Sequence, residues 1–424
     1  MRPDELGPIA ADGIIESLRS GIPPQRFVSS YASGNEQFLR NVRRRHLDSP
    51  AARGKIRFIS GSWGAGKTHF LRLLREEAFA ARYLVSTVEL SADSTPFNKF
   101  ERVFFEIVRR ITSPEMYQDD DLGRADPFAE VLRRHLFGGP AKAASGVIPH
   151  ERFQAARERL MLATDIDIDF RRMIVHYWES FLPEGGDPAT LEERRGQILQ
   201  WFSGEGTIGM YRREFGAQKL VSRANARLML QSLSRFAIFA GYRGLVILLD
   251  EAEMTHSILR KASLKQAHNN LLHLINSIEE SEGLFLVYAA TPDFYVDDRY
   301  GVIIYGALSQ RIGRPEDRPP RALDRVWNLD AAETSADDFL AAAGKIRQIY
   351  VRAFPDVEEE LISEQALREH VGKLVAQHPE FSHVSTWRVV VTGTIEILTA
   401  SSEGEQLRAA EALYDDIMDR LREQ

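Results

Sequence analysis

The sequence predicts an α/β fold, with a parallel sheet that carries helices on both faces, a long helical insertion and an all-helical C-terminal part. Two observations lead to this prediction. Short, almost uninterrupted apolar runs such as Leu245–Asp250 and Leu284–Ala290 alternate with helical patterns, as strands buried on both faces do. After Thr334, only helical periodicity remains. We therefore expect a sheet domain followed by a smaller helical lid domain.

The composition excludes several classes of protein. The chain has 424 residues, of which 44% are hydrophobic and 27% charged, and it contains no cysteine. Disulfide-stapled, collagen-like and largely disordered chains are therefore excluded, as are thiolate zinc sites and cysteine nucleophiles. The net charge of −7 is not that of a strongly basic nucleic-acid-binding chain. The basic cluster Arg43-Arg44-Arg45-His46 is either a solvated helix face, which we favour, or a phosphate-binding patch.

The first residues are charged and lack an apolar signal core, and the longest apolar runs are too short to cross a bilayer. We therefore expect a cytoplasmic protein without a membrane partner.

The elements can be predicted in chain order from apolar spacing and from glycine and proline breaks. Residues 6–46 have the pattern of a helix, a turn and a helix, and 99–240 form a mostly helical stretch. We predict strands over 55–60, 83–90, 245–250, 284–290 and 325–329. We predict further helices over 69–78, 336–354, 363–377, 386–401 and 404–423. The expected domains are an N-terminal helical segment over 1–50, a nucleotide-binding domain over 51–330 with 99–240 as its insertion, and a lid over 331–424.

Residues 61–68 match the phosphate-binding pattern G-x-x-x-x-G-K-[ST] between a predicted strand and a predicted helix. Glycines allow backbone N–H groups to point at phosphate oxygens, and the helix N-terminus adds a positive dipole end. Lys67 would neutralise the β- and γ-phosphates of ATP, and Thr68 would ligate Mg²⁺. The alternative is a glycine-rich turn without a ligand. The candidate ATP-binding residues are Gly61, Ser62, Trp63, Gly64, Ala65, Gly66, Lys67, Thr68 and His69.

Trp63 is an unusual residue inside such a loop. It either stacks on a base or a partner, or packs on the edge of the sheet. We favour packing, because aromatic side chains mostly serve to bury area.

An acidic pair follows the predicted strand 245–250. A buried parallel strand would deliver Asp250 to the carboxyl edge of the sheet, where it would hold Mg²⁺ directly or through water. Glu251 would orient and deprotonate the attacking water. The alternative for both is a surface acidic turn. For the nearby Glu253 we favour a solvated role.

Three further residues are candidates for sensing the nucleotide. Thr291 ends the strand over 284–290 and could bond the γ-phosphate or the water, or it could simply end the strand in a turn. Arg311, with Arg314 as a second choice, could reach the γ-phosphate of a neighbouring subunit. Arg388 opens a lid helix and could close over the nucleotide. The alternative for each arginine is an ordinary surface position.

In this order, residues 61–68, Asp250-Glu251, Thr291, Arg311 and Arg388 resemble the motifs of an AAA+ ATPase, and the wider arrangement is similar to the origin-recognition and Cdc6-like branch. In the lid helix, Trp387 stands where that branch typically has proline. A closer resemblance is to the BREX-type phage-defence ATP-binding proteins. The segments that carry it are 14–23 (IIESLRSGIP), 58–71 (FISGSWGAGKTHFL), 197–205 (QILQWFSGE), 241–253 (GYRGLVILLDEAE) and 307–312 (ALSQRI).

This resemblance implies a P-loop AAA+ fold, ATP and Mg²⁺ as cofactors, and a helicase partner from an anti-phage locus; Shango-type systems use a similar ATPase. An arginine acting in trans implies a homo-oligomer in the ATP state. DNA would be contacted directly or through the partner.

Three functional hypotheses follow. The first is an ATP-hydrolysing AAA+ switch or motor in phage defence that acts with a helicase on DNA. The second is an ATP-dependent scaffold with little turnover and no direct DNA contact, although an intact Asp250-Glu251 pair argues against it. The third is a signalling ATPase that detects an invader through the insertion over 99–240.

Overall fold

The computed structural model describes residues 2–48, 53–118, 126–138, 147–183, 186–252, 259–379 and 385–422. In chain order, the strands are β1 Lys55–Ser60, β2 Leu84–Glu89, β3 Ile111–Thr112, β4 Leu245–Asp250, β5 Leu284–Ala290 and β6 Val326–Asn328. The helices up to the end of the insertion are α1 Pro8–Arg19, α2 Glu36–Val42, α3 Lys67–Ala80, α4 Phe100–Arg109, α5 Pro114–Gln118, α6 Pro127–Phe137, α7 His150–Leu162, α8 Ile168–Glu179, α9 Pro188–Phe202, α10 Ile208–Phe215 and α11 Ala226–Phe239. The remaining helices are α12 Lys261–Glu279, α13 Asp293–Val296, α14 Gly306–Ile312, α15 Ala336–Ala353, α16 Glu364–Gln377, α17 Thr386–Ser402 and α18 Ala410–Arg422.

The strands form one mixed sheet with the order β3–β2–β4–β5–β1–β6. β2 and β4 are parallel, with Glu89 opposite Asp250, and β4 and β5 are parallel, with Leu249 opposite Tyr288. β4 and β5 are buried along their whole length, which explains their uninterrupted apolar sequences. The predicted α/β fold class, with a largely parallel sheet, is therefore confirmed.

Most predicted elements are confirmed within a residue or two, and two details differ. The two-residue β3 pairs antiparallel with β2 inside the stretch expected to be helical, and it is too short to show a periodic pattern. The last helix begins at Ala410 instead of 404. Gly404 has a φ of +70° and terminates α17, since its N–H donates to the Ser401 carbonyl oxygen at 3.2 Å.

The chain divides into two compact units, which are Met1–Arg43 with Ile59–Glu76 and Pro315–Gln424, and Arg44–Phe58 with Glu77–Arg314. This division groups the residues differently from the three predicted domains, whose functional boundaries stay a prediction.

In the first unit, the N-terminal residues pack against the C-terminal helices. α1 buries Ala11, Ile14, Ile15 and Leu18. The Arg352 Nε atom in α15 donates to the Leu6 carbonyl oxygen at 3.2 Å, and Lys345 Nζ donates to the Ala32 carbonyl oxygen at 2.6 Å. The N-terminal segment is thus tied to α15 by packing and by charged donors.

In the second unit, the insertion has an aromatic core. The rings of Phe128 and Phe170 each contact those of Phe202 and Phe236, with centroids 4.8 to 6.3 Å apart. Trp201, in one of the segments that carry the family resemblance, is fully buried, and its Nε1 donates to the Lys219 carbonyl oxygen at 3.1 Å. That segment therefore contributes to the core of the insertion. None of the helices among the described residues combines the length and apolar character that a membrane span requires.

Candidate functional site

The phosphate loop connects β1 to α3. Because α3 begins at Lys67, Lys67 and Thr68 occupy its first turn, where backbone N–H groups lack intrahelical acceptors. Gly64 and Gly66 have φ angles of +82° and +86°, which side chains other than glycine rarely adopt. Inside the loop, the Ala65 N–H donates to the Ser62 carbonyl oxygen at 3.1 Å. This curled backbone at a helix N-terminus has the geometry of an anion-binding loop.

The Lys67 side chain is only 7% exposed, and its ammonium group bonds to the loop. Nζ donates to the Gly61 carbonyl oxygen at 2.8 Å and to the Ser62 carbonyl oxygen at 3.1 Å. It also lies 5.6 Å from the centroid of the Trp63 ring. A phosphate oxygen is a stronger acceptor for an ammonium group than a carbonyl oxygen is. The ammonium group therefore lies where a phosphate bound in the loop would attract it.

The favoured interpretation of Trp63 was wrong. Its side chain is 61% exposed and does not pack into the core. The exposed indole is instead compatible with the alternative of stacking on a base or a partner, which stays a prediction.

Gly64 lies close to the beginning of α17. A Cβ atom at Gly64 would stand 3.1 Å from Ser385 Cβ and 3.8 Å from Arg388 Cδ. The first unit therefore brings Arg388 to the phosphate loop. The Arg388 side chain lies beside Gly64 of the loop.

Asp330 is a residue of this site that sequence reasoning missed. Its carboxylate accepts from the Ser62 N–H at 2.9 and 3.0 Å and from the Ser62 hydroxyl at 3.0 Å. Asp330 and Ser62 are 268 residues apart in the chain. No local pattern could have connected them.

His69 follows the loop in α3, and its Nδ1 lies 3.1 Å from the Tyr31 hydroxyl. Burial, reinforced by the nearby positive charge of Arg72, lowers the pKa of His69 to about 4. The side chain is therefore neutral at pH 7. It contributes no positive charge toward phosphates, so a role in ATP binding would fall to its backbone N–H.

The acidic pair belongs to the second unit. Asp250 ends β4 and is 3% exposed, and its carbonyl oxygen accepts from the Leu90 N–H at 2.9 Å. Glu251 has a φ of +56°, an unfavourable conformation that costs about 1–3 kcal/mol outside glycine. The Asp250 carboxylate holds it there, since Oδ1 accepts from the Glu251 N–H at 3.0 Å. Glu253 lies outside the described residues.

The remaining candidates also belong to the second unit. Thr291 directly follows β5, is 6% exposed, and accepts the Phe294 N–H at its carbonyl oxygen at 3.1 Å. Arg311 is half exposed on α14, and its guanidinium group lies 3.6 Å from the Glu279 carboxylate. Arg314 is exposed. Within their units, the structure thus groups the phosphate loop with Arg388 and Asp330, and Asp250 with Glu251.

The chemistry of the residues in each unit suits the groups expected there. In the first unit, Lys67 supplies an ammonium donor and Thr68 a hydroxyl oxygen; in the second, Asp250 supplies carboxylate oxygens, and Mg²⁺ prefers oxygen ligands of both kinds. Within the described part of the chain, no group of three or more histidine, aspartate and glutamate side chains is arranged to hold a metal ion. The loop is therefore the part of the site whose geometry is most complete.

The fold and the loop define an α/β protein with a strand–loop–helix unit of the phosphate-binding kind. A family model described as "BREX system ATP-binding protein BrxC/D" matches residues 8–416. The chain therefore belongs to the BREX system ATP-binding protein BrxC/D family, and the resemblance inferred from the sequence is confirmed. Membership supports ATP as the nucleotide and a role in a multi-component phage-defence system. The comparison with curated proteins gave no match.

Proposed function

We propose that the protein is an AAA+ ATPase that binds and hydrolyses ATP with Mg²⁺ as a component of phage defence. The proposal rests mainly on the geometry of the phosphate loop. Gly64 and Gly66 have the positive φ angles that a curled backbone needs, and α3 begins at Lys67, directly after Gly66. The family to which the chain belongs supports ATP as the ligand.

In this proposal, the loop binds the triphosphate and Lys67 transfers its hydrogen bonds from the Gly61 and Ser62 carbonyl oxygens to phosphate oxygens. Thr68 and Asp250 hold Mg²⁺. When bound, the cation neutralises charge on the phosphates. Both residues have short oxygen-bearing side chains at the end of a strand or the start of a helix, which restricts their orientation.

Glu251 acts as the general base. A carboxylate can accept the proton of the attacking water when the two are within hydrogen-bond reach. The positive φ of Glu251 supports this role, because unfavourable backbone conformations persist mostly where function requires a particular side-chain direction. The bond from its N–H to Asp250 fixes that direction locally.

Thr291 and Arg388 act as sensors of the bound nucleotide. β5 lies between β1 and β4 in the order of the sheet, and Thr291 directly follows it. A hydroxyl there suits a bond to the γ-phosphate or to the water. Arg388 lies near Gly64, which suits a cation that closes over the nucleotide.

Arg311 supplies a positive charge to the nucleotide of a neighbouring subunit, so the ATP state is a homo-oligomer. The exposure of Arg311 supports an action outside its own subunit. We further propose that the protein works in the cytoplasm with a helicase of its defence locus, on DNA that it contacts directly or through that partner.

The test is steady-state ATP hydrolysis by the purified chain, with and without double-stranded DNA. Lys67→Ala should abolish ATP binding and turnover, whereas Glu251→Gln should abolish turnover and retain binding. The exposed Lys265→Ala serves as the matched control and should behave as wild type. Turnover that DNA stimulates, and that both site variants lose, would support a DNA-acting ATPase.

Other results would change the proposal in defined ways. Turnover indifferent to DNA would assign DNA contact to the partner. Tight ATP binding without turnover would favour an ATP-dependent scaffold or switch. Unchanged turnover in Lys67→Ala would refute the proposed nucleotide site.

A further inference from the structure

The carboxylate of Asp330 lies against the second residue of the phosphate loop. Both oxygens lie within 3.0 Å of the Ser62 backbone nitrogen, and Oδ2 also accepts from the Ser62 hydroxyl at 3.0 Å. These are charge-assisted bonds, which are stronger than neutral ones. The contact joins the loop to the segment that leaves β6.

The segment after β6 runs alongside the beginning of the loop and contacts it at successive residues. The Leu329 N–H donates to the Ser60 carbonyl oxygen at 2.8 Å. A Cβ at Gly61 would lie 3.5 Å from Leu329 Cβ. The Asp330 N–H in turn donates to Asn328 Oδ1 at 3.2 Å. The Asp330 carboxylate is therefore presented to Ser62 by a backbone that is itself tied to β1.

Both the donor groups and the carbonyl oxygen of Ser62 are consequently held by hydrogen bonds. Its N–H and hydroxyl are bound by Asp330, and its carbonyl oxygen accepts from the Ala65 N–H and from Lys67 Nζ, both at 3.1 Å. When Lys67 turns to a phosphate, the carbonyl loses one of its two donors. The bonds from the Ser62 N–H and hydroxyl to Asp330 are then still in place.

We propose that Asp330 is a positioning residue that holds the phosphate loop in its nucleotide-receiving curl through Ser62. The inference rests on the proposed function and deepens it. The contact between Asp330 and Ser62 also links the loop to the segment that leads into α15. Movement of that segment would therefore be transmitted to Ser62. Asp330 keeps its bonds to Ser62 when ATP is bound.

A contrary role would be that of a plug, in which the carboxylate occupies an anion site and must be displaced by phosphate. The position of the contact argues against a plug. The curl formed by Gly64 and Gly66, together with the first turn of α3, offers the N–H groups of the anion-binding geometry. Ser62 precedes that curl.

The first experiment needs no nucleotide. Amide hydrogen–deuterium exchange of peptides covering residues 58–70 should be about tenfold faster in Asp330→Ala than in wild type, because a charge-assisted bond to the Ser62 N–H is lost. Asp330→Asn keeps an acceptor and should show a smaller change. Glu333→Ala removes an exposed carboxylate of the same segment and should leave exchange unchanged. Unchanged exchange in Asp330→Ala would overturn the inference.

The second experiment separates positioning from general stability. In Asp330→Ala, the KM for ATP should rise about tenfold with kcat changed less than about twofold, and Asp330→Asn should recover most of the loss. The thermal midpoint without nucleotide should match that of Glu333→Ala. Tighter ATP binding by Asp330→Ala would contradict positioning and identify a plug.

The failures of the two proposals are distinguishable. If wild type neither binds nor hydrolyses ATP, the proposed function fails, whereas the exchange experiment still decides the role of Asp330. If wild type turns over ATP and Asp330→Ala does so with the same KM and the same loop exchange, only the inference about Asp330 fails.

Discussion

Lys67 and His69 lie close together at the phosphate loop but in different surroundings. Lys67 keeps its ammonium group among carbonyl oxygens of the loop. Two residues further on, burial keeps His69 neutral. His69 therefore adds no second positive charge beside the Lys67 ammonium group at neutral pH.

The low pKa of His69 predicts a pH dependence of stability. In the unfolded chain this pKa is about 6.5, whereas in the folded protein it is about 4. The unfolded chain therefore binds more protons between these values. The contribution of His69 is complete above pH 6.5 and is lost as the pH falls toward 4, by about 1–3 kcal/mol in total.

The measurement is chemical denaturation at pH 7 and at pH 4.5. His69→Gln, which retains a bonding group for the Tyr31 hydroxyl, should lose less stability between the two values than wild type does. His273→Gln changes an exposed histidine and should behave as wild type. Parallel stability–pH curves for wild type and His69→Gln would disprove the assignment.

At the scale of elements, the approach of α17 to the phosphate loop depends on a glycine. Gly64 has a φ of +82°, and an added Cβ would come within 3.1 Å of Ser385 Cβ. Both strain and contact would oppose any side chain at this position. The absence of a side chain at residue 64 therefore lets the loop lie against the start of α17 without a strained backbone or a close contact.

Gly64→Ala should destabilise the protein by about 1–2 kcal/mol and weaken ATP binding by at least about tenfold, because the loop must shift away from Ser385. Titration with a fluorescent ATP analogue and a denaturation curve would measure both effects. Gly196→Ala is the matched control, since Gly196 lies in α9 with open space around it. It should leave ATP binding unchanged and add up to about 1 kcal/mol of stability. An unaltered affinity in Gly64→Ala would show that the loop tolerates the methyl group.

At the scale of the whole molecule, the proposed trans action of Arg311 makes activity depend on assembly. Arg311 pairs with Glu279 at 3.6 Å in its own subunit, and both side chains are substantially exposed. An exposed pair of this kind contributes about 0–1 kcal/mol. A neighbouring subunit's phosphate could therefore compete with Glu279 for the guanidinium group.

Arg311→Ala should lower turnover by about a thousandfold while ATP binding is retained. Glu279→Gln removes the ion pair without removing the arginine, and its turnover should stay near that of wild type. Mixing Arg311→Ala with Glu251→Gln subunits should restore part of the activity, because some junctions then contain one intact Glu251 and one intact Arg311. Full activity of Arg311→Ala alone would exclude the trans role.

Five of the six described strands, the phosphate loop and the acidic pair could be predicted from the sequence alone. These features are local, because a buried strand needs consecutive apolar residues and a phosphate loop needs glycines beside Lys67. The sequence also determined the family through segments distributed along the chain. The roles of the loop and of the acidic pair in ATP hydrolysis stay predictions, which the turnover of the Lys67 and Glu251 variants would test.

Contacts between residues far apart in the chain could not be predicted from the sequence and follow from the folded structure. The bond between Asp330 and Ser62 joins positions 268 residues apart, and Arg388 reaches Gly64 from another part of the chain. The exposure of Trp63 and the packing of the N-terminal segment on α15 likewise depend on the path of the chain. Hydrogen bonds and van der Waals contacts act between neighbours in space, and periodicity along a sequence carries no record of those neighbours.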